Sequence, residues 1–184
     1  MREVRWTSQE NEGVEHLAFD ARADGFYTES VLVGERDGRA YGLVYRVKCD
    51  LHWRTLHAWL KVVGGAELEL HGDGEGSWHD AHGLMLPSLA GCIDIDIAAT
   101  PFTNTLPIRR LQLAKGAREP IAVAFISVPD LQVLRVEQAY TCIEPDVEYR
   151  YEGIDTGFAA ELKVDEDGLV IDYPTMFTRT LPIV

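Results

Sequence analysis

Residues 91–116 read GCIDIDIAATPFTNTLPIRRLQLAKG and contain the one helical segment that we predict in this chain. Asn104 or Thr105 can cap the start of a helix, Pro107 is tolerated in its first turn, and Gly116 suits the position just beyond its end. We therefore predict a single principal helix that begins near Asn104 or Thr105 and ends near Gly116. The period of residues 52–63 is ambiguous between a helix and a strand.

Turn signals divide the rest of the chain into short segments with an apolar period near two, which is typical of half-buried strands. Asp37-Gly38 separates two such segments and is a strong type I′ hairpin signal. The same pattern recurs at Gly64-Gly65, at residues 128–130 and at residues 165–168. Connections this short join antiparallel strands, because a parallel crossover needs a dozen residues or more. We predict one mostly β domain over residues 1–184: a large, curved antiparallel sheet, open or half-barrel, wrapped around the single short helix.

The charge balance excludes two classes of partner. Lys and Arg number 17 and Asp and Glu number 30, which gives a net charge of −13. A nucleic-acid binder needs a basic surface to displace counterions from phosphates, and docking onto anionic lipid needs one as well. Residues 101–140 are the basic part of the chain, with five basic against three acidic side chains. We therefore expect the arginines of the predicted helix to have carboxylate partners.

Asp94 and Asp96 are the strongest candidates for a functional site. In a strand the two carboxylates point to one face, about 7 Å apart, while the isoleucines beside them point to the other face. Neighbouring carboxylates repel each other unless solvent, a metal ion or a cation compensates their charge. The pattern fits an acidic recess close to Arg109 or Arg110, and it fits a solvated strand face as well.

Aromatic side chains are the second candidate set. Core packing is the usual role of a tryptophan such as Trp53. Trp78-His79-Asp80 lies in a polar segment, where we expect the indole to be exposed. An aromatic ring beside carboxylates also suits a sugar, because the ring stacks on the sugar face while the acids accept hydrogen bonds from its hydroxyls. We therefore expect Trp53 or Trp78 to line the same acidic recess.

The remaining signals concern thiols, metals and targeting. Cys49, Cys92 and Cys142 have no CxxC spacing and are expected to be reduced, buried thiols of a cytoplasmic protein. His79-x-x-His82 has the spacing of zinc ligands, but loop histidines beside a tryptophan are the commoner case, so we predict no metal site and no cofactor. Residues 1–20 contain no apolar leader, and no segment is long enough to span a bilayer. We therefore expect no transmembrane segment.

The run GCIDID at residues 91–96, followed by TPFTNTLPIRRL at residues 100–111, is long and unusual in composition. Trp53-Arg54-Thr55, the Trp78-x-Asp80-x-x-Gly83 segment and the hairpins from residue 151 to residue 174 accompany it. Together these motifs resemble a bacterial glycolipid-binding family that was first catalogued as a domain of unknown function. The resemblance extends over nearly the whole chain.

The resemblance implies a large antiparallel sheet wrapped around one helix, remotely like the lipoprotein localization factors. It also implies a tight homodimer and an acidic pocket that holds a glycolipid or a sugar. We expect the following residues to contact that ligand: Asp94, Asp96, Arg109, Arg110, Asn104, Thr103, Trp53, Trp78 and Asp80.

Three functions remain open. We favour a cytoplasmic protein that binds a free or lipid-linked sugar in bacterial glycolipid metabolism, without enzymatic activity. The alternatives are an enzyme that uses Asp94 and Asp96 as acid and base or as metal ligands, and a structural homodimer without a small-molecule ligand. If the carboxylates serve a ligand, Asp94→Asn and Asp96→Asn abolish binding with little loss of stability. If they pair with buried arginines, each change costs about 3–5 kcal/mol of stability.

Overall fold

The structure is a computed structural model that describes residues 1–10 and 12–181. These residues form one 14-stranded sheet and one α-helix. The strands are β1 Arg2–Ser8, β2 Val14–Arg22, β3 Gly25–Arg36, β4 Arg39–Cys49, β5 Thr55–Val62, β6 Glu67–Gly72, β7 Trp78–Asp80, β8 Asp94–Ile97, β9 Arg118–Ile126, β10 Val133–Glu144, β11 Glu148–Gly153, β12 Phe158–Val164, β13 Val170–Tyr173 and β14 Phe177–Leu181. The helix is α1 Thr105–Leu111, and two 3₁₀ turns span Pro87–Leu89 and Phe102–Asn104.

The strand order is β7-β6-β5-β4-β3-β2-β1-β14-β13-β12-β11-β10-β9-β8, so the first and last strands of the chain meet in the middle of the sheet. The pairings between described strands are antiparallel except that of β8 with β9, which is parallel. The crossover from β8 to β9 contains the 3₁₀ turn and α1, as a parallel connection requires. The predicted fold class is confirmed: the sheet is open, mostly antiparallel and accompanied by one short helix.

The hairpin predictions are confirmed. Asp37 and Gly38 have φ angles of 53° and 73°, as a type I′ turn needs, and Arg36 pairs with Arg39 across it. The antiparallel pairs β5–β6, β9–β10 and β12–β13 flank the other three predicted turns. Residues 52–63, whose period was ambiguous, contain strand β5.

The helix is shorter than predicted. It ends at Leu111, and Gln112 adopts the left-handed conformation at φ 46° and ψ 48°, so the predicted end near Gly116 is wrong. The Gly116 N–H donates to the Cys142 carbonyl, and the Cys142 N–H donates to the Ala117 carbonyl. Residues 116–117 are therefore already paired with β10. No described helix combines the length and apolar character needed to cross a membrane.

The predicted start of the helix near Thr105 is confirmed, but Asn104 does not supply the side-chain cap that its residue type allows. The Asn104 side chain makes no capping hydrogen bond. Its Nδ2 donates to the Pro101 carbonyl at 3.2 Å, and its Oδ1 accepts from the Tyr140 hydroxyl at 2.9 Å. A tertiary contact therefore uses the group that local sequence assigned to the cap.

Alternate side chains of the strands are buried on one face of the sheet, which we call the inner face, and α1 packs against it. Leu106 of the helix belongs to a large apolar cluster with residues of β1 to β9. Ile108 belongs to a second cluster with residues of β9 to β13. A helix of seven residues is not stable alone, so burial of its Leu106 and Ile108 against the sheet holds it in place.

Candidate functional site

Strand β8 presents its two carboxylates on one face, as predicted. Asp94 and Asp96 lie opposite Val123 and Phe125 of β9. Ile95 and Ile97 of the same strand are packed in the large apolar cluster on the other face. The alternation that the sequence predicts for β8 is therefore confirmed, although both of its faces are covered.

Asp94 forms a buried ion pair with Arg110. Arg110 Nη2 donates to Asp94 Oδ2 at 2.6 Å, and Nε lies 3.1 Å from each carboxylate oxygen. The Asp94 side chain has 0% exposure and that of Arg110 has 15%. Burial raises the pKa of Asp94, and the guanidinium acts in the opposite direction. This end of β8 has the contacts of a structural ion pair, because both charges are desolvated and satisfied by each other.

Asp96 has neutral partners instead. Thr103 Oγ1 donates to its Oδ1 at 3.1 Å, and Gln138 Nε2 donates to its Oδ2 at 2.6 Å. Burial raises the pKa of Asp96, and these two hydrogen bonds lower it by less. The carboxylate is thus oriented by neutral donors while its charge stays available to a ligand.

Asp96 lines a cleft of about 350 Å³ on the inner face. We use the term cleft for this cavity alone. Its lining residues are Glu10, Arg36, Asp96, Ile97, Ala98, Thr100, Asn104, Phe125, Tyr151, Thr156, Phe158, Tyr173, Met176 and Phe177. The volume lies at the small end of the range for ligand sites, roughly 300–1,000 Å³.

One side of the cleft is a group of four aromatic rings, Tyr151, Phe158, Tyr173 and Phe177, which we call the aromatic wall. Tyr173 lies at the centre, with ring centroids 6.3 Å from Tyr151, 6.3 Å from Phe158 and 6.2 Å from Phe177. Phe158 is 40% exposed, so the wall has a solvent-facing edge. Aromatic side chains at such separations support one another and present a rigid apolar surface.

A smaller recess of about 50 Å³ adjoins the cleft and contains a buried acid, Glu15. The two cavities share lining residues, among them Arg36 and Phe177. Glu15 is 3% exposed, and its Oε1 accepts from Ser30 Oγ at 2.7 Å and from the Tyr45 hydroxyl at 2.5 Å. Its Oε2 has no hydrogen-bond partner among the described residues. Burial raises the pKa of Glu15 to about 7.

Arg109 and Trp53 lie close to each other, outside the cleft. The guanidinium of Arg109 lies 5.9 Å from the Trp53 ring and donates to the Glu166 carbonyl at 3.1 Å. Trp53 is stacked on Phe26 with centroids 4.0 Å apart and belongs to the large apolar cluster. The described residues that line the cleft include neither side chain. Of the residues that were expected to share one recess, Asp96 therefore lines the cleft, whereas Asp94 and Trp53 do not.

Trp78 is buried at 1% exposure, so the expectation that it is exposed is wrong. Its indole Nε1 donates to the Cys92 carbonyl at 2.7 Å, which ties β7 to the residues just before β8. Asp80 closes the following turn, because its Oδ1 accepts from the His82 and Leu84 N–H groups at 2.9 Å. Both residues have structural contacts near one end of the sheet.

Of the expected site residues, the structure thus gathers Asp96, Thr103 and Asn104 around the cleft, with Asp94 and Arg110 paired next to them on β8 and α1. Sequence reasoning missed Glu15, Arg36 and the aromatic wall. A signal existed for Glu15, because it shares the apolar face of β2 with Leu17 and Phe19 at a period of two. No local pattern indicated the aromatic wall, since its members come from four separate segments.

Comparison with known proteins assigns the family. A family model described as "Putative glycolipid-binding" matches residues 3–179, a range that includes β8, α1 and the whole cleft. The chain belongs to this glycolipid-binding family. The family assignment predicted from the sequence motifs is confirmed.

A solved structure supports the fold of this family member. The chain is similar to a DUF1089 family protein from Pseudomonas aeruginosa, whose crystal structure is known. The two share 42% sequence identity with a TM-score of 0.81, and the match covers 90% of this chain and 92% of that chain. No curated protein matches the chain.

Proposed function

We propose that this member of the glycolipid-binding family binds a glycolipid by holding its sugar headgroup in the cleft. One observation carries the proposal: a single cavity combines a half-buried carboxylate that has only neutral partners with a wall of four aromatic rings. Sugars need both, because their hydroxyls donate to carboxylates and their apolar faces pack on aromatic rings.

Asp96 and Arg36 supply the polar contacts. A carboxylate can accept about four hydrogen bonds, and Thr103 and Gln138 use one on each oxygen of Asp96. The remaining lone pairs accept from sugar hydroxyls. Arg36 also lines the cleft, where its Nη2 donates to the Ala98 carbonyl at 3.3 Å. Its other N–H groups are suited to a ring oxygen or to an acidic substituent of the headgroup.

The aromatic wall and its apolar neighbours supply the rest of the site. The cleft volume of about 350 Å³ suits a headgroup rather than a complete lipid. The lipid tail therefore leaves along the exposed edge of Phe158, next to Met176 and Phe177. Burial of the sugar face on Tyr151 and Tyr173 excludes water from the Asp96 contacts and strengthens them.

Location and assembly belong to the same proposal, with residues 1–184 acting as one domain. Cys49, Cys92 and Cys142 are free and buried, which suits a reducing compartment such as the cytoplasm. A homodimer fits an apolar strip on the outer face, where Val14 and Val33 pair across strands and are 39% and 54% exposed. Light scattering that gives a mass near 20.6 kDa at micromolar concentration contradicts the dimer.

An enzyme that pairs Asp94 with Asp96 is less well supported. An acid and a base must both reach the substrate, whereas Asp94 has 0% exposure and is held by Arg110. Metal binding by the two carboxylates would likewise have to displace the guanidinium. A structural homodimer without a ligand is the outcome expected if no sugar binds.

Native mass spectrometry of freshly purified protein, followed by calorimetry, tests the proposal. We expect binding of short-chain glucosyl- and galactosyl-diacylglycerol in mild detergent, and none of phosphatidylglycerol, which lacks the sugar. Asp96→Asn should weaken that binding at least about tenfold, or 1.4 kcal/mol. Asp80→Asn is the matched control, because it makes the same chemical change in a surface turn and should bind like the natural chain. Equal binding by the two variants contradicts a headgroup site at Asp96.

A further inference from the structure

A cluster of two histidines and one glutamate lies on the face of the sheet opposite the cleft. His57 of β5 and His71 of β6 are direct cross-strand partners. Glu69 precedes His71 by two residues and so projects from the same face. Glu69 Oε1 lies 3.0 Å from His57 Nε2 and 3.3 Å from His71 Nε2. One ligand atom from each of the three residues falls within 4.8 Å of the other two.

We propose that His57, Glu69 and His71 bind a divalent transition-metal ion of the zinc class. A tetrahedral zinc site with bonds of about 2.0–2.2 Å places neighbouring ligand atoms about 3.3–3.6 Å apart. The two imidazole–carboxylate distances, 3.0 Å and 3.3 Å, are close to that spacing. Two histidines and one glutamate are also a ligand set that zinc uses when it keeps a fourth position open for water or another small ligand.

The hairpin holds the three ligands at this spacing. β5 and β6 pair in continuous register from His57 with His71 to Lys61 with Glu67. The residues that alternate with the ligands on β5, Ala58 and Leu60, are fully buried on the inner face. The backbone beneath the cluster is therefore anchored, so only side-chain rotations are needed to close around an ion.

The two lysines next to the cluster pair with carboxylates other than Glu69. Lys48 lies beside His57 in the register, but its Nζ donates to Asp24 at 3.2 Å. Lys61, further along β5, pairs with Glu67 at 3.3 Å. An ion can reach the three side chains from solvent. They are partly exposed, at 31% for His57, 36% for Glu69 and 48% for His71. The geometry and the charge pairing thus point to one occupant, a cation with affinity for imidazole and carboxylate.

Calorimetry with Zn²⁺, on tag-free protein that has been stripped with a chelator, tests the site. We expect one ion per chain and release of protons on binding. Loss of a partner that merely orients a metal ligand typically costs about 10–100-fold in affinity, so His57→Ala, His71→Ala and Glu69→Gln should each weaken binding by at least about tenfold. His52→Ala and His82→Ala are matched controls, because both histidines are exposed and lie outside the cluster. They should bind like the natural chain.

Two further measurements separate this site from the cleft and from unfolding. Zn²⁺ should raise the midpoint of thermal unfolding of the natural chain and of Asp96→Asn, but not that of His57→Ala. Glu69→Gln keeps the shape of the side chain, and circular dichroism verifies that it is folded. No Zn²⁺ binding by the natural chain, or binding by the three ligand variants that equals that of His52→Ala, overturns the proposal. Loss of Zn²⁺ binding in Asp96→Asn alone also overturns it.

Discussion

The two ends of β8 carry the same side chain on the same face in different surroundings. At one end Asp94 is fully buried and held by the guanidinium of Arg110. At the other end Asp96 lines a cleft and accepts hydrogen bonds from Thr103 and Gln138, which are neutral. The comparison shows that strand alternation determines where a carboxylate points, while its partner determines what the carboxylate can do. Removing one member of a buried ion pair leaves the other charge uncompensated, so Asp94 has a structural role, whereas a carboxylate with neutral donors is available to a ligand.

The largest effect on stability should come from breaking the ion pair between Asp94 and Arg110. Asp94→Asn leaves Arg110 buried without its counter-charge, so we expect a loss of about 3–5 kcal/mol in the free energy of unfolding. Urea unfolding followed by tryptophan fluorescence measures this loss. Asp96→Asn is the matched control on the same strand. A loss below about 1 kcal/mol for Asp94→Asn would contradict a structural ion pair.

The next effect concerns Glu15, a buried carboxylate that, like Asp96, has neutral hydrogen-bond partners. Its pKa is about 7 in the folded chain against 4.5 as the ordinary value, so the folded state favours the protonated form. The contribution of this group to stability is therefore fully present below pH 4.5 and is lost as the pH rises through about 7. From the difference between the two values, the loss is about 3 kcal/mol.

Glu15→Gln isolates this contribution, because the amide does not titrate and keeps an oxygen for Ser30 and Tyr45. We expect the free energy of unfolding of the natural chain, measured in urea from pH 4.5 to pH 8, to fall relative to that of the variant as the pH rises. Parallel pH profiles of the two proteins would contradict the raised pKa of Glu15.

Neutralising the cleft end should change binding more than stability. Burial raises the pKa of Asp96, so replacement by Asn removes a charge whose burial is unfavourable and keeps an acceptor for Thr103 or Gln138. We expect Asp96→Asn to change the free energy of unfolding by less than about 1 kcal/mol while glycolipid affinity falls at least tenfold. A large loss of stability with unchanged glycolipid binding would mean that Asp96, like Asp94, has a structural role.

The smallest effect should come from the aromatic wall. Phe158 is 40% exposed, so Phe158→Ala removes sugar-stacking surface at little cost in core packing. We expect affinity for the same glycolipid to fall about fivefold, or 1 kcal/mol. Trp59→Ala is the control, because Trp59 lies beside Arg46 and Glu67 on the opposite face of the sheet. If the two changes lower the glycolipid affinity equally, the aromatic wall is not part of the glycolipid site.

Much of the fold could be predicted from the sequence. The type I′ turn at Asp37-Gly38, the remaining hairpins and the one helix near Thr105 all follow from signals that act over two to four residues. The predicted family follows from the motifs of residues 91–111. The end of the helix was predicted wrongly: Gln112 already adopts the left-handed conformation, and residues 116–117 pair with Cys142, a distant residue that no local signal includes.

The candidate site likewise has features that could be predicted from the sequence and features that could not. The sequence by itself determined that Asp94 and Asp96 share one face of a strand and that arginines of the following helix lie near them, since alternation and a short connection are local properties. Only the tertiary structure decided that Arg110 rather than Arg109 binds Asp94, that Trp78 is buried, and that Tyr151 and Phe158 face Asp96. These outcomes depend on how strands far apart in the chain are brought together in one sheet, and no local period contains that information.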